Sequence, residues 1–472
     1  MKNNVITWLL LLSFSFAFGQ EEIKGKKDKA PRYKLFRATE NYEYLKKQEE
    51  NLYKEDTFDP IKFIPLNKKE SVYLSIGGEI RPRLEIFSNR FWEGEEDDTF
   101  YSQRLVLHSN LVLGKHIRFF GELYHGYTSH EEEFVEFDEL NVHQAFVEIK
   151  LSNQTEGNVS LLFGRQELGF GTGRLVGFRE GPNIRRSFDV GRLVYSKGKT
   201  NIQAFFGKEV RPNFGVFDND FSLFDSNASN PSLWGVYSQF KIKGLNGLNE
   251  LYYLGFDSNQ ATFNDVTGEE TRHSIGLRRF GKIGKRWRYN SSLTYQFGDI
   301  GNSTISAFNI DTDWHYDLID TAWKISPGLK LEYTSGDRNI GDGRINSFSP
   351  LFVNPTFYSL AATITPINVI AIHPSLSMQP TERLHLYVEW NIFWRASEND
   401  GLYQPPRFIL RSADGLSERS SGNQLGFQAS YEFTRHLAFE LDLSYFIAGA
   451  FQEASGEDES IFHFAPTLSY KF

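Results

Sequence analysis

The sequence predicts an all-β protein, a transmembrane antiparallel β-barrel of about 18 strands with short periplasmic turns and long outer loops. Three observations carry that prediction. The chain ends on an amphipathic strand, with Phe462, Phe464, Leu468, Tyr470 and Phe472 on one face and Ala465, Thr467, Ser469 and Lys471 on the other. Aromatic residues are 15% of the 472, including 43 Phe and 22 Tyr, yet mean hydropathy is −0.43. That composition suits a greasy skin around a wet interior better than a buried core rich in Leu, Ile and Val. Short and long connections also alternate along the chain, as tight inner turns and long outer loops do. An open sheet edge in lipid costs several kcal/mol for each unpaired backbone group. A last strand with nothing after it is therefore expected to pair with the first.

The start of the chain reads as an address. Met1-Lys2 is followed by an apolar run from Val5 to Phe18, interrupted only by Thr7, Ser13 and Ser15, and then by Gly19 and the polar Gln20-Glu21-Glu22. This is the pattern of a secretory signal peptide, residues 1–19, cleaved near Gly19. No later stretch reaches 18 apolar residues, so helical membrane spans are excluded. The chain has no Cys, hence neither disulfides nor a lipidated cysteine. Residues 20–71 form a charged lead-in, with Lys24, Lys26, Lys27 and Lys29, a helix-like piece over Ala38–Tyr53, and an extended Asp59–Leu66. It is expected in the periplasm below the first strand, and residues 72–472 are expected to form the barrel. A formal net charge of −9 argues against nucleic acid as a partner.

From Val72 onward the period is two. Ile76, Ile80, Leu84 and Ile86 oppose Glu79, Arg81, Arg83 and Glu85, and Leu105, Leu107, Leu111 and Leu113 oppose Arg104, His108 and Asn110. Trp287–Gly298, Leu384–Arg395, Leu425–Phe433 and Leu437–Tyr445 repeat the scheme, whereas Val159–Leu168 starts apolar on both faces. Short turns are expected at 114–116, 154–158, 197–200, 243–247, 281–285, 380–383 and 434–436. Long polar loops are expected at 89–100, 129–139, 169–187, 211–231, 259–270, 336–366, 397–421 and 452–457. Two connections depart from the alternation, the short 299–302 and the medium 318–325. Trp92, Trp234, Trp287, Trp314, Trp323, Trp390 and Trp394 fall mostly near strand ends, as interfacial girdles do. A barrel of roughly 16–18 strands leaves an aqueous channel unless loops block it.

A cationic side chain on the lipid face costs about 2–4 kcal/mol at the bilayer midplane. Arg81, Arg83, Arg104, Arg118, Arg288 and Arg395 all alternate onto the polar face, so they should line the lumen, and Arg165 and Arg192 are assigned there too. Glu79, Glu85, Glu122, Glu148, Glu332, Glu389, Glu440 and Asp442 share that face. Two readings stay open for each arginine: a member of a stiffening ion-pair lattice, or a guanidinium fork that receives carboxylates or sulfates. Asp311, Asp313 and His315 fall on one inward face as lumen lining or a divalent-ion site. Asp218-Asn219-Asp220 and the acidic loops match no full calcium-loop spacing. No GxSxG, phosphate-loop, Rossmann or HExxH motif is present, so the protein is not read as an enzyme, and no cofactor or metal is expected. Residues 20–71 are too short for the plug of an energised transporter.

Leu162-Phe163-Gly164-Arg165-Gln166-Glu167-Leu168-Gly169-Phe170-Gly171, continuing to Arg174 and Arg185-Arg186-Ser187-Phe188-Asp189, resembles the alginate-export family of outer-membrane porins. The same holds for Lys62–Leu66 with Gly77–Arg83, for Glu332–Asp337 with Pro350–Phe352, and for Phe393–Ser397 with Asp400–Tyr403. The resemblance runs from about Tyr33 to Phe472 and implies an 18-stranded barrel passing an anionic polysaccharide through an arginine-rich lumen gated by loops. It further implies that Arg185 and Arg186, with Arg179, fold inward as a constriction. The expected partners are an acidic polysaccharide or organic anions, outer-membrane lipid and lipopolysaccharide, and the barrel-assembly machinery through Phe472. The outer loops are acidic (Glu93, Glu95, Glu96, Asp97 and Asp98; Glu131, Glu132, Glu133 and Glu136; Glu457, Asp458 and Glu459), a departure from what a polyuronate would favour. A general porin for small organic anions and an adhesive barrel are the alternatives.

Overall fold

In the computed structural model the described residues are 30–50, 56–92, 97–129, 135–152, 157–224, 229–318 and 321–472. The signal peptide and the acidic residues Glu93, Glu95, Glu96 and 131–133 lie outside them. Eighteen long antiparallel strands form the wall. The first six are β1 (Val72–Ser88), β2 (Asp98–Leu113), β3 (Ile117–Thr128), β4 (Asp138–Lys150), β5 (Asn158–Gln166) and β6 (Phe188–Lys197). Next come β7 (Thr200–Glu209), β8 (Ser232–Phe240), β9 (Leu248–Phe263), β10 (Val266–Ile283), β11 (Trp287–Ile300) and β12 (Ser303–Tyr316). The last six are β13 (Ser326–Thr334), β14 (Val369–Met378), β15 (Leu384–Arg395), β16 (Ser420–Glu432), β17 (Leu437–Ile447) and β18 (Ile461–Lys471). β18 pairs with β1, from Glu79 opposite Lys471 to Ser88 opposite Phe462, and the cylinder is closed.

The two faces of the wall invert the habit of a soluble protein. Leu107, Leu251, Ile275, Leu277, Phe206 and Ile310 are about half exposed and point to lipid, whereas Arg104 and Arg272 have no exposed surface. Trp287, Trp314, Trp323 and Trp390 are exposed, but Trp92 is not a girdle residue: it is buried inside the mouth, 5.1 Å from the Phe446 ring.

Connections follow the expected alternation with one correction. The segment 259–270 is not a long loop. β9 and β10 run on through it and turn at Asn264-Asp265, where Asn264 takes φ 49°. Asn tolerates that left-handed backbone, so a two-residue hairpin forms and the polar residues around it continue the ladder above the membrane. β5 is short, and residues 216–224 of the following loop lie against the wall beside it. Val216 bridges to Leu140, and Phe221 and Phe224 lie 6.2 and 5.9 Å from Phe163.

Loops and lead-in fill much of the interior. The loop 167–187 meets the loop 335–368 through Phe352 N–H to the Leu175 carbonyl, 2.8 Å, and both join a buried cluster with Phe188, Leu233 and Phe256. Residues 396–419 carry a small hairpin, Leu402–Gln404 with Phe408–Arg411, and 448–460 a short helix, Ala450–Ser455. At the end of the barrel that holds the short turns, the lead-in forms 3-10 turns at Arg37–Thr39 and Glu43–Glu50 rather than one helix, and Asp59–Lys62, expected to be extended, is a short α-helix. The lead-in reaches inside the barrel. Arg37 donates to the carbonyls of Gly78 (3.3 Å) and Phe472 (2.9 Å), the two sides of the closing seam. Arg118 donates to Ala38 O, and Phe36 packs on Phe178 of the loop 167–187. Lys62 donates to Ile76 O at 3.0 Å. Its burial, with Arg37 nearby, pushes that amine down from 10.5 to about 7.

Arg37→Ala is expected to lower barrel stability by about 1–3 kcal/mol, read from the heat-induced mobility shift on semi-native gels. Between pH 7 and 10.5 the undocked Lys62 binds a proton that the docked form has shed, so docking strengthens as pH rises through that window. Protease protection of residues 30–66 should therefore increase from about pH 6 to about pH 9, and Lys62→Met should flatten the change.

Candidate functional site

The sequence-predicted arginines do not form one ring. They are spread from the periplasmic end to the mouth, and each is held. Arg288 sits low, on Asp317 (2.9 Å) and Ser326, and Arg118 pairs with Glu148 at 2.8 Å. Arg192 donates to Gln166 and Gln203. Arg165 grips Asp189 with Nε (2.8 Å) and Nη2 (3.2 Å) and reaches the Asp220 carbonyl of the covering loop. Gly164 beside it has φ 125°, and a Cβ there would lie 2.2 Å from the Ala145 oxygen, so only glycine lets these strands approach.

At the waist the loop 167–187 crosses the lumen and one carboxylate gathers three arginines. Glu180 takes Arg104 Nη2 at 2.8 Å, lies 3.6 Å from Arg81 Nη1, and is bonded by Arg185 Nε. Arg81 also donates to the carbonyls of Glu180, Gly181 and Pro182 at 2.9–3.1 Å. Arg185 continues to Glu167 (3.2 Å) and Leu35 O, linking loop, wall and lead-in. The adjacent Arg186 turns the other way, to Glu209 (2.7 Å) and the Phe352 carbonyl. Arg174 binds Glu332 and Asp311, which takes Asp311 away from Asp313 and His315, and those two pair with each other at 3.1 Å.

Above the waist opens a cavity of 1160 Å³. Arg83, Arg90, Arg179, Arg186, Arg211 and Arg407 line it, against the carboxylates Glu85, Glu136 and Glu209, and Phe87, Phe100, Phe256, Phe263 and Phe408 supply ring faces. Arg83 donates to Glu85 and Thr467, and Arg407 to Glu270 and Ser349. Arg211 is exposed. An excess of guanidinium groups in a partly enclosed, low-dielectric chamber focuses a positive potential on whatever enters.

The mouth is latched by residues that the sequence comparison singled out. Asp400 accepts hydrogen bonds from Ser347 Oγ (2.6 Å), Tyr403 OH (2.7 Å), and the N–H groups of Asp337 and Gly401 (2.8 Å each). Arg395 closes the same corner on the carbonyls of Glu398, Asp400, Leu416 and Glu418, in the loop rather than in the pore. Sequence reasoning missed Glu180, Arg272 and Arg407. Arg272 alternates with Glu270 and Ser274 and was legible in principle, but the expected loop at 259–270 hid the start of its strand. Glu180 and Arg407 sit in irregular segments that carry no periodic signal.

Glu180→Gln removes the charge that three buried guanidiniums share. Breaking such a buried cluster costs about 3–5 kcal/mol. The expected result is a loosened constriction, seen as larger and noisier single-channel conductance than wild type with a shift toward anions.

The family model described as "Alginate export" matches residues 72–465. No curated protein matches the chain. Solved porins of Pseudomonas aeruginosa share the architecture at low identity. OccK9 (OpdG) superposes with a TM-score of 0.57 at 10% identity, covering 84% of this chain and 98% of its own. OccD3 (OpdP) gives 0.56 at 12%, covering 87% and 93%. OccK2 (OpdF) in complex with glucuronate gives 0.53 at 12%, covering 84% and 96%. Those likenesses establish the barrel and, with the family match over most of the sequence, its outer-membrane setting as a channel rather than an enzyme. The chain belongs to the alginate-export family of outer-membrane porins.

Proposed function

We propose that this channel passes an anionic polysaccharide of the alginate kind, or its oligomers, by passive diffusion assisted by arginine. The observation that carries the reading is the chamber above the waist, with six arginines facing three carboxylates among aromatic walls. Arginine receives a carboxylate bidentately, and ring faces suit the C–H faces of a sugar. Its 1160 Å³ exceeds the roughly 300–1,000 Å³ of a pocket for one drug-sized ligand, which leaves room for more than one sugar unit.

Passage has no covalent step. A guanidinium left bare by a broken buried pair costs about 3–5 kcal/mol, so an incoming carboxylate takes over Arg81, Arg104 or Arg185 as Glu180 or a loop carbonyl leaves it. Binding at each of several arginines stays weak enough for release to the next. Small organic anions are the second reading, favoured by the glucuronate in the OccK2 complex, since a uronic acid presents the same carboxylate on a single ring. The same proposal takes residues 1–19 as the cleaved signal peptide, 20–71 as the lead-in, 72–472 as the barrel, and Phe472 as the recognition point for barrel assembly.

Planar-bilayer recording across a salt gradient tests the reading. The reversal potential should report anion preference, and alginate oligomers added to the outer side should block the current. Arg83→Gln with Arg211→Gln should weaken that block by about tenfold or more. Cation preference would sink the proposal, whereas anion currents indifferent to oligomers would select the second reading.

A further inference from the structure

Below the constriction, the wall holds a cluster that the transport reading does not use. Glu122 of β3, His143 of β4 and Glu167, the first residue after β5, are all buried. One ligating atom from each lies within 4.8 Å of the others. A bulge builds this arrangement. Glu122 pairs with Gln144 but Leu123 with Val142, so His143 is the extra residue, and it turns inward beside Gln144 instead of alternating outward. His143 Nε2 lies 3.0 Å from Glu167 Oε1, and its ring is held 4.3 Å from that of Tyr124.

The charges here do not balance. Of the four carboxylates at the waist and in this cluster, Glu79 and Glu180 meet Arg104, and Glu167 meets Arg185. Glu122 is the one left over. Its carboxylate receives the Gln144 amide at 2.9 Å and no ion pair among the described residues. Glu167 already meets Arg185 and His143, whereas a carboxylate buried beside it with no ion pair needs a cation or a proton of its own.

We propose that Glu122, His143 and Glu167 form a site for a divalent transition-metal ion of the zinc class. One imidazole and two carboxylates are the donor set of such ions, and imidazole disfavours calcium and magnesium. Gln144 is the outer support, donating to Glu122 while its oxygen accepts the Glu167 N–H at 3.2 Å. Bound there, the ion ties the root of the loop 167–187 to two wall strands. Arg185 gives up its contact with Glu167 and keeps Glu180. The site stands independently of what the channel carries.

The test uses the full chain in detergent, stripped with EDTA and dialysed against ZnCl2, alongside a sample refolded with ZnCl2 present in case the barrel slows entry. Metal is counted by mass spectrometry. The expected result is about one zinc per chain in at least one of the samples, with Glu122→Gln and His143→Gln each weakening binding by at least about tenfold and the exposed His116→Gln leaving it unchanged. Folding of each variant is checked by its heat-induced mobility shift. Zinc retained at wild-type affinity by either Glu122→Gln or His143→Gln places the ion elsewhere and overturns the proposal. So does the lack of saturable binding in both samples, which means that a proton settles the charge on Glu122.

Discussion

A strand that crosses hydrocarbon has no water to bond, so every N–H and C=O must find a partner on a neighbouring strand. The seam between β1 and β18 is where that requirement is met last, and much else in the molecule is arranged around it. Arg37 caps it from inside, bonding one carbonyl on each side. Those two carbonyls already accept each other's N–H across the seam, so Arg37 adds a second bond to each rather than filling an empty acceptor. Arg83 sits opposite Thr467 in the third of the seam pairs, and its side chain donates to that hydroxyl. The short turns of the lead-in are threaded into the lumen, and the same residues touch the underside of the constriction.

Closing the cylinder also determines where the charges go. Outward positions must be apolar, so the ionisable side chains of eighteen strands are driven to one interior. There the arginines are not left bare. Each of the ten predicted from alternation or family resemblance has a carboxylate, carbonyl or amide partner. The two readings of those arginines are thus less opposed than they look. A lattice can hold the constriction at rest and still exchange partners with a mobile carboxylate, provided that no guanidinium is left bare. Two places depart from this pairing: Glu122, in the wall below the waist, has no ion pair among the described residues, and the chamber above carries more guanidiniums than carboxylates on its lining.

Strand positions were legible because lipid enforces a strict two-residue period, and a residue such as Arg104 can only point inward. The closing strand and most turns were readable for the same reason, and the family from the motifs around Arg165, Asp337 and Asp400. The interior was not. Arg395 obeys the alternation but spends its donors on loop carbonyls, because its strand ends at the mouth where the loop 396–419 folds back. Glu180 is central, yet it is one acidic residue in an aperiodic stretch, and its role depends on a loop path that no local pattern encodes. His143 reads as an outward or ambiguous position until the bulge is known, since one inserted residue flips the face of its neighbours.

The acidic rim poses the remaining physical question, since it faces the side from which a polyanion would arrive or leave. Exposed carboxylates such as Glu457, Asp458 and Glu459 stand in high-dielectric water. Beyond a Debye length of about 8 Å at physiological salt their field is largely screened. Buried guanidiniums such as Arg179 and Arg186 act through a medium of low dielectric and suffer little of that screening. Net charge therefore misleads. The −9 of the whole chain sets how the protein meets its surroundings at long range, while the sign felt inside the chamber is that of its own lining. The acidic rim then costs a polyanion encounter rate rather than selectivity.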